Sequence, residues 1–224
     1  MNEIIPSFKQ SLFDSDIKDT TIDLLECGID SVITDGFLQE IPIVKTIVAI
    51  GKFAQNIADR NLMKQTIAFI NEFNQSNISE ERLYKYRQSL ENDPKKAEAE
   101  LGRVIVILNR IIDDNKAKIL AQFYAAYVKG DISWSCFREL SEVIDRLFIN
   151  DILLLSKLYT ASETVLYGDG GYVADRLIAI GLINNPQSEI KSGDYIKPVS
   201  RLPLNLSDLG KTFCQLYKEE MMVR

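Results

Sequence analysis

Apolar residues along this chain recur mostly at three- and four-residue intervals, the spacing that lines one face of an α-helix. Between residues 16 and 40 the apolar positions are Ile17, Ile22, Leu25, Ile29, Val32, Ile33 and Phe37, with Gly28 and Gly36 interrupting the stripe. Pro42 suits the first turn of a new helix, where its missing N–H has no partner to lose, and that helix is predicted from Ile43 towards Ala58. The stripe resumes at Leu62, Met63, Ile67, Ile70 and Phe73 after a polar gap, Asp59-Arg60-Asn61, which the pattern leaves open as a break or a wet turn. Ser79 is an N-cap for a helix through Leu90, and Asp93-Pro94 combines a cap with a first-turn proline. Leu101, Val104, Ile105, Leu108, Ile111 and Ile112 then form a wide stripe. Asp113 or Asp114 caps a helix carrying Ile119, Leu120, Phe123, Tyr127 and Val128, and Gly130 closes it. Ser133 caps a further helix with Trp134, Phe137, Leu140, Ile144 and Leu147 on one face, and Asn150-Asp151 restarts the chain into Leu153, Leu154, Leu155 and Leu158.

Short turns between amphipathic helices favour antiparallel neighbours in a bundle. The last third reads differently. A helix over Gly171–Ile180 stops at Gly181, Leu182-Ile183 follows, a polar loop covers Asn184–Gly193, and Asp194–Val199 is extended. Leu206-Ser-Asp-Leu-Gly210 then opens a final helix ending near Met221. Helix, short strand, loop, strand, helix is the order of a winged helix. The predicted fold is therefore all-α: a multi-helix bundle over residues 1–160, then a winged-helix-like unit over 161–224 carrying a small β-hairpin. The Leu-Ser-Asp-Leu-Gly segment resembles the leucine-threonine-x-leucine-glycine motif that opens the last helix of many such domains.

The 224 residues carry a net charge of −6, which opposes nonspecific attraction to nucleic acid or anionic lipid. There is no histidine, so Ser-His-Asp and Cys-His catalysis and histidine-ligated zinc drop out. Cys27, Cys136 and Cys214 are odd in number, far apart and without metal-ligand spacing, as suits a reducing cytosol. The N-terminus lacks the basic start and apolar core of a signal peptide. Ile41–Ala54 is the most membrane-like stretch, but Lys45 and Lys52 interrupt it and a spanning helix needs about 20 apolar residues. The expectation is a soluble cytoplasmic protein with no catalytic residue, cofactor or metal.

Each local motif has a plainer structural reading beside its functional one. Tyr167-Gly-Asp-Gly-Gly171 fits neither phosphate-binding glycine fingerprint and reads as a flexible turn. Asp113-Asp114 and Asp14-Ser-Asp16, extended by Asp19 and Asp23, read as caps and solvated helix faces rather than divalent-metal ligands. Arg82, Lys85, Arg87, Lys95 and Lys96 with Tyr84 and Tyr86 resemble a single-strand-binding mixture, but Glu80, Glu81, Glu91 and Asp93 nearly cancel the charge. If the tail reads DNA, Lys191, Lys197 and Arg201 are its contacts. The wing, Pro186–Pro203, sets these three cations against Glu189 and Asp194, while Glu163–Ile180 sets only Arg176 against Glu163, Asp169 and Asp175. That balance disfavours phosphate contacts. Asp59, Arg60, Asp145 and Arg146 are candidate buried ion pairs, because each arginine follows an aspartate in an apolar context. Adjacent helical residues do not face each other, so the partners are expected on other helices.

Ile41–Gly51, Ile57-Ala-Asp-Arg60, Thr66–Phe73 and the later Ile144-Asp-Arg146 with its downstream leucine-rich helix resemble a group of uncharacterised bacterial helical proteins. That resemblance covers residues 30–158 and implies no activity. The tail is similar to the end of abortive-infection alpha-type proteins, which implies an antiphage setting. The leading expectation is a non-enzymatic interaction protein with a protein partner. The alternatives are a DNA-binding regulator using the tail and a membrane-active effector using Phe37–Ala58.

Overall fold

The computed structural model describes residues 3–14, 41–50, 57–160, 164–189 and 198–217. The helix predicted over 16–40, Cys27, Lys191, Lys197 and most of Asp194–Val199 lie outside these residues. Ten α-helices are described: α1 Ile4–Phe13, α2 Pro42–Ile50, α3 Ile57–Gln75, α4 Glu80–Asn92, α5 Pro94–Arg110, α6 Asp114–Lys129, α7 Trp134–Arg146, α8 Ile152–Thr160, α9 Tyr167–Ala179 and α10 Asp208–Leu216. Caps start these helices where the sequence places them. Ser79 accepts from Arg82 N, Asp93 from Lys96 N and Asp113 from Asn115 N. Gly130 ends α6 at φ 89°, and its N–H reaches the carbonyls of Ala126 and Tyr127.

The polar gap at Asp59–Asn61 does not break the helix, and its side chains are half-buried. α3 runs through it, and Asn61 Nδ2 and Gln65 Nε2 each donate at 2.8 Å to the carbonyls of Ile111 and Ile112. These carbonyls leave the end of α5 without intrahelical partners, so polar side chains on α3 complete the backbone of another helix. Ser11 of α1 does the same for α2, accepting from Ile43 N at 2.9 Å.

The chain divides into two compact units, Met1–Phe137 and Arg138–Arg224. The division between these units falls inside α7. The physical reason is aromatic packing: Trp134 and Phe137 stack at 5.1 Å and lie 5.2 Å from Tyr127 and 5.3 Å from Tyr124 respectively, so the first turn of α7 belongs with the first unit. In that unit α3 and α6 form the most extensive helix pair. Between and around them Phe8, Met63, Ile67, Phe69, Ile70, Phe73, Leu120, Phe123 and Tyr124 are fully or almost fully buried.

In the second unit, three short segments meet without forming a strand among the described residues. Leu166 bridges Pro203 and Ile183 bridges Leu206, both antiparallel, so residues 202–207 lie between 165–167 and 182–184. Leu204 N donates to Val165 O, Tyr167 N to Leu202 O and Asn184 N to Asn205 O, each at 2.9 Å. The predicted hairpin falls mostly outside the described residues; within them Val199, expected at the end of the extended segment, opens a 3-10 turn through Arg201. That turn satisfies its own backbone, with Arg201 N and Leu202 N donating to Pro198 O and Val199 O.

The glycines here have structural reasons. A Cβ at Gly210 would sit 2.0 Å from Leu182 O, so only glycine lets α10 approach this carbonyl. Tyr167–Gly171 is a short helical turn rather than a flexible loop. Gly171, at φ 50° and ψ −141°, redirects the chain into the remainder of α9.

Candidate functional site

Two carboxylates are buried beside other titratable side chains, one in each unit. In the first unit, Glu100 lies on the buried side of α5. Tyr86 Oη donates to its Oε2 at 2.5 Å and Tyr127 Oη to its Oε1 at 2.7 Å. Tyr124 Oη lies 2.6 Å from Tyr86 Oη. Since a hydroxyl has one hydrogen and that of Tyr86 goes to Glu100, Tyr124 donates to Tyr86. Lys96 Nζ stands 4.0 Å from Oε1, donates to Ser89 Oγ and lies over the Tyr86 ring. Burial, reinforced by the neighbouring tyrosine and glutamate, pushes the pKa of Tyr86 far up, and burial does the same to Tyr124 and Tyr127. Every hydroxyl has an acceptor and the carboxylate has its donors. The cluster is a closed polar network that ties α4, α5 and α6 together.

The second carboxylate is buried too, but its partner reaches solvent. Asp151 sits in the 3-10 turn Ile149–Asp151 just before α8, with its side chain 3 % exposed. Arg176 of α9 grips it with both edges, Nε to Oδ2 at 2.8 Å and Nη2 to Oδ1 at 2.5 Å, the bidentate geometry of a strong charge-assisted pair. The guanidinium carbon lies 4.7 Å from the Tyr172 ring centroid and 4.8 Å from that of Phe148, within cation–π range of both. Tyr172 and Arg176 share a face of α9 because they are four residues apart. Ala174 and Leu177 are buried on the opposite side. Both rings are largely solvent-exposed, Phe148 at 61 % and Tyr172 at 72 %. The hydrogen bonds it donates to Asp151 favour the charged guanidinium and raise its pKa. Two of its five N–H donors are spent on the aspartate, and the side chain as a whole is 35 % exposed. Beside it, the Tyr167 hydroxyl donates to Asp175, an interaction that raises the phenol pKa.

The residues singled out in the sequence fall elsewhere. Asp59, Arg60 and Asp145 are half-buried and Arg146 is exposed, so none of these four reaches the burial of Asp151. Asp59 Oδ2 is sequestered without a hydrogen-bond partner among the described residues. Arg201 is exposed in its 3-10 turn, and its two companion lysines lie outside the described residues. In the basic-aromatic stretch, Lys85 pairs with Glu81 and Arg87 with Glu91 along α4, while Tyr86 turns into the core. Asp113 serves as a cap, as expected, and Asp114 pairs with Lys64 at 2.9 Å. Among the described residues no three Cys, Asp or Glu side chains converge as a metal site, and no helix is long and apolar enough to cross a membrane.

Sequence reading missed both buried acids. Asp151 passed for a helix restart and Arg176 for one charge in a sum. Glu100 left a clearer trace, because it falls on the same helical face as Ala97 and Val104, where an acid stands out.

No family model, curated protein or solved structure matches this chain. The resemblances noted above therefore stand on the sequence motifs alone.

Proposed function

We propose that this is a non-enzymatic interaction protein whose second unit is a winged helix used for protein contact. Support for the topology comes from the order of its parts: α8, a pairing segment, a helical turn, Gly171, a helix, and two more pairing segments with 202–207 in the middle, then α10. Support for protein contact comes from what the helix after Gly171 presents. Its single arginine is held by Asp151 and two exposed rings, and its other exposed charge is Asp175. A duplex-reading helix brings several free cations or amides to phosphates and base edges. Aromatic residues and arginine, by contrast, dominate the binding energy of protein interfaces. An arginine already fixed by its carboxylate also loses little side-chain freedom when a partner arrives.

The carrying observation is the Phe148–Arg176–Tyr172 stack over Asp151. The test is affinity capture from the native host with the intact chain, the Tyr172→Ala chain and the Phe148→Ala chain, each verified as folded by circular dichroism. A partner retained by the intact chain and lost by both variants is expected. Equal capture by all three would refute the assignment of this surface. Salt-sensitive duplex binding in a gel shift, weakened by Arg201→Ala, would replace protein contact with the DNA-binding alternative.

A further inference from the structure

The first unit holds an apolar groove with no role in the network around Glu100. It has a volume of about 570 Å³ and runs between α1 and the outer side of α5. Ile4, Ile5, Leu90, Ala97, Ile105 and Val106 form most of its walls. The volume falls in the range of about 300–1,000 Å³ typical of small-molecule sites. From Pro94 to Val106 it follows α5 for about 18 Å at the usual helical rise. Such a shape suits one extended aliphatic chain better than a ring system.

Gly102 is the second observation. Glycine is the least favourable helix-interior residue after proline, yet Gly102 sits in the middle of α5. Neither of the reasons that explain Gly171 and Gly210 applies to it. Its φ is not positive, and an added Cβ would make only an ordinary contact, 3.6 Å from Ile5 Cδ1. What its missing side chain does is leave space in the wall of this groove.

Charge selects the head group. Three charged residues border the groove: Lys9, Glu91 and Glu98. Glu91 is already engaged, by Arg87 Nε at 3.0 Å and Gln88 Nε2 at 2.9 Å. Neither Lys9 nor Glu98 has an ion pair among the described residues. Glu98 is exposed to water whereas Lys9 is half-buried, so the lysine is the charge that gains more from a counter-ion in the groove. We propose that the groove binds a single-chain anionic amphiphile, a long-chain carboxylate, with its chain against Gly102 and Val106 and its carboxylate at Lys9. This site is independent of the protein-contact surface in the second unit.

Calorimetric titration of the full chain with tetradecanoate, below its micelle concentration and at neutral pH, tests the proposal. One-to-one binding is expected. Gly102→Leu fills the groove and should abolish it. Val106→Asp changes a half-exposed position, so it should keep the fold while also abolishing binding. Lys9→Met should weaken tetradecanoate about ten-fold, the loss of one partly screened charge pair, and leave tetradecanol unchanged. The proposal fails if tetradecanoate does not bind, or if both groove variants bind it as well as the parent. It fails equally if tetradecyltrimethylammonium binds more tightly, because Glu98 would then set the preference. Self-association abolished by Val106→Asp, without amphiphile binding, would assign the groove to a second copy of the chain instead.

Discussion

Glu100 and Asp151 are both almost fully buried carboxylates, and the two units answer them in opposite ways. Glu100 is met by neutral tyrosine hydroxyls, one buried and one half-buried, and the lysine near it also bonds to Ser89. Asp151 is met by a full positive charge whose other face is flanked by exposed rings. A buried acid needs donors wherever it lies. Tyrosines supply them from inside a core, whereas arginine carries its long stem to the surface. The first arrangement is complete in itself. The second reaches solvent through its arginine.

The comparison can be broken most forcefully at Glu100. Glu100→Ala removes the acceptor of one buried and one half-buried hydroxyl and should destabilise the first unit by about 2–4 kcal/mol in urea unfolding. Capture of a partner through the second unit should survive at concentrations where the protein stays folded. A loss below about 1 kcal/mol would show that the network is incidental.

Alkaline pH should separate the units next. A tyrosine whose folded pKa is raised loses its proton more readily when unfolded. Its stabilisation is therefore complete below pH 10 and declines as pH rises further. Well above pH 10, Tyr86 and Tyr124 should each remove about 1.4 kcal/mol per pH unit, with Tyr127 adding less because it is half-exposed. The second unit has a weaker dependence through Cys214, whose thiol burial pushes up to about 11. Tyrosinate absorbance should rise together with loss of helical signal in the first unit. Full titration of all the tyrosines before any unfolding would contradict the closed network.

Gly210→Ala should cost the second unit about 2–3 kcal/mol, since its Cβ would overlap the Leu182 carbonyl. Hydrogen exchange should quicken over α9 and α10 and stay slow over α3 and α6. The smallest effect sharpens the contrast. Tyr172→Ala removes an exposed ring and should change stability by less than about 0.5 kcal/mol, while partner affinity falls at least ten-fold. A large stability loss would make the aromatic stack a structural clamp.

Much of the architecture was legible before any coordinates. Ser79, Asp93, Asp113, Gly130 and Gly181 act within a turn of their own position, so sequence spacing suffices to read them. Glu100 was half legible, as an acid on an apolar stripe whose tyrosine partners come from helices before and after it. The Arg176 site was not legible. Its aspartate lies 25 residues away and its second ring, Phe148, belongs to a linker the pattern passes over.

The sequence by itself determined the capped starts at Ser79, Asp93 and Asp113 and the glycine stops at Gly130 and Gly181, because caps, glycines and helical periodicity are local properties. Tertiary structure alone decided that α7 is shared between two units, that Asn61 and Gln65 complete the end of α5, and that Arg176 meets Asp151 between two rings. These depend on which distant groups arrive at the same point, and a buried charge or carbonyl accepts whichever partner the folded chain brings within hydrogen-bond distance.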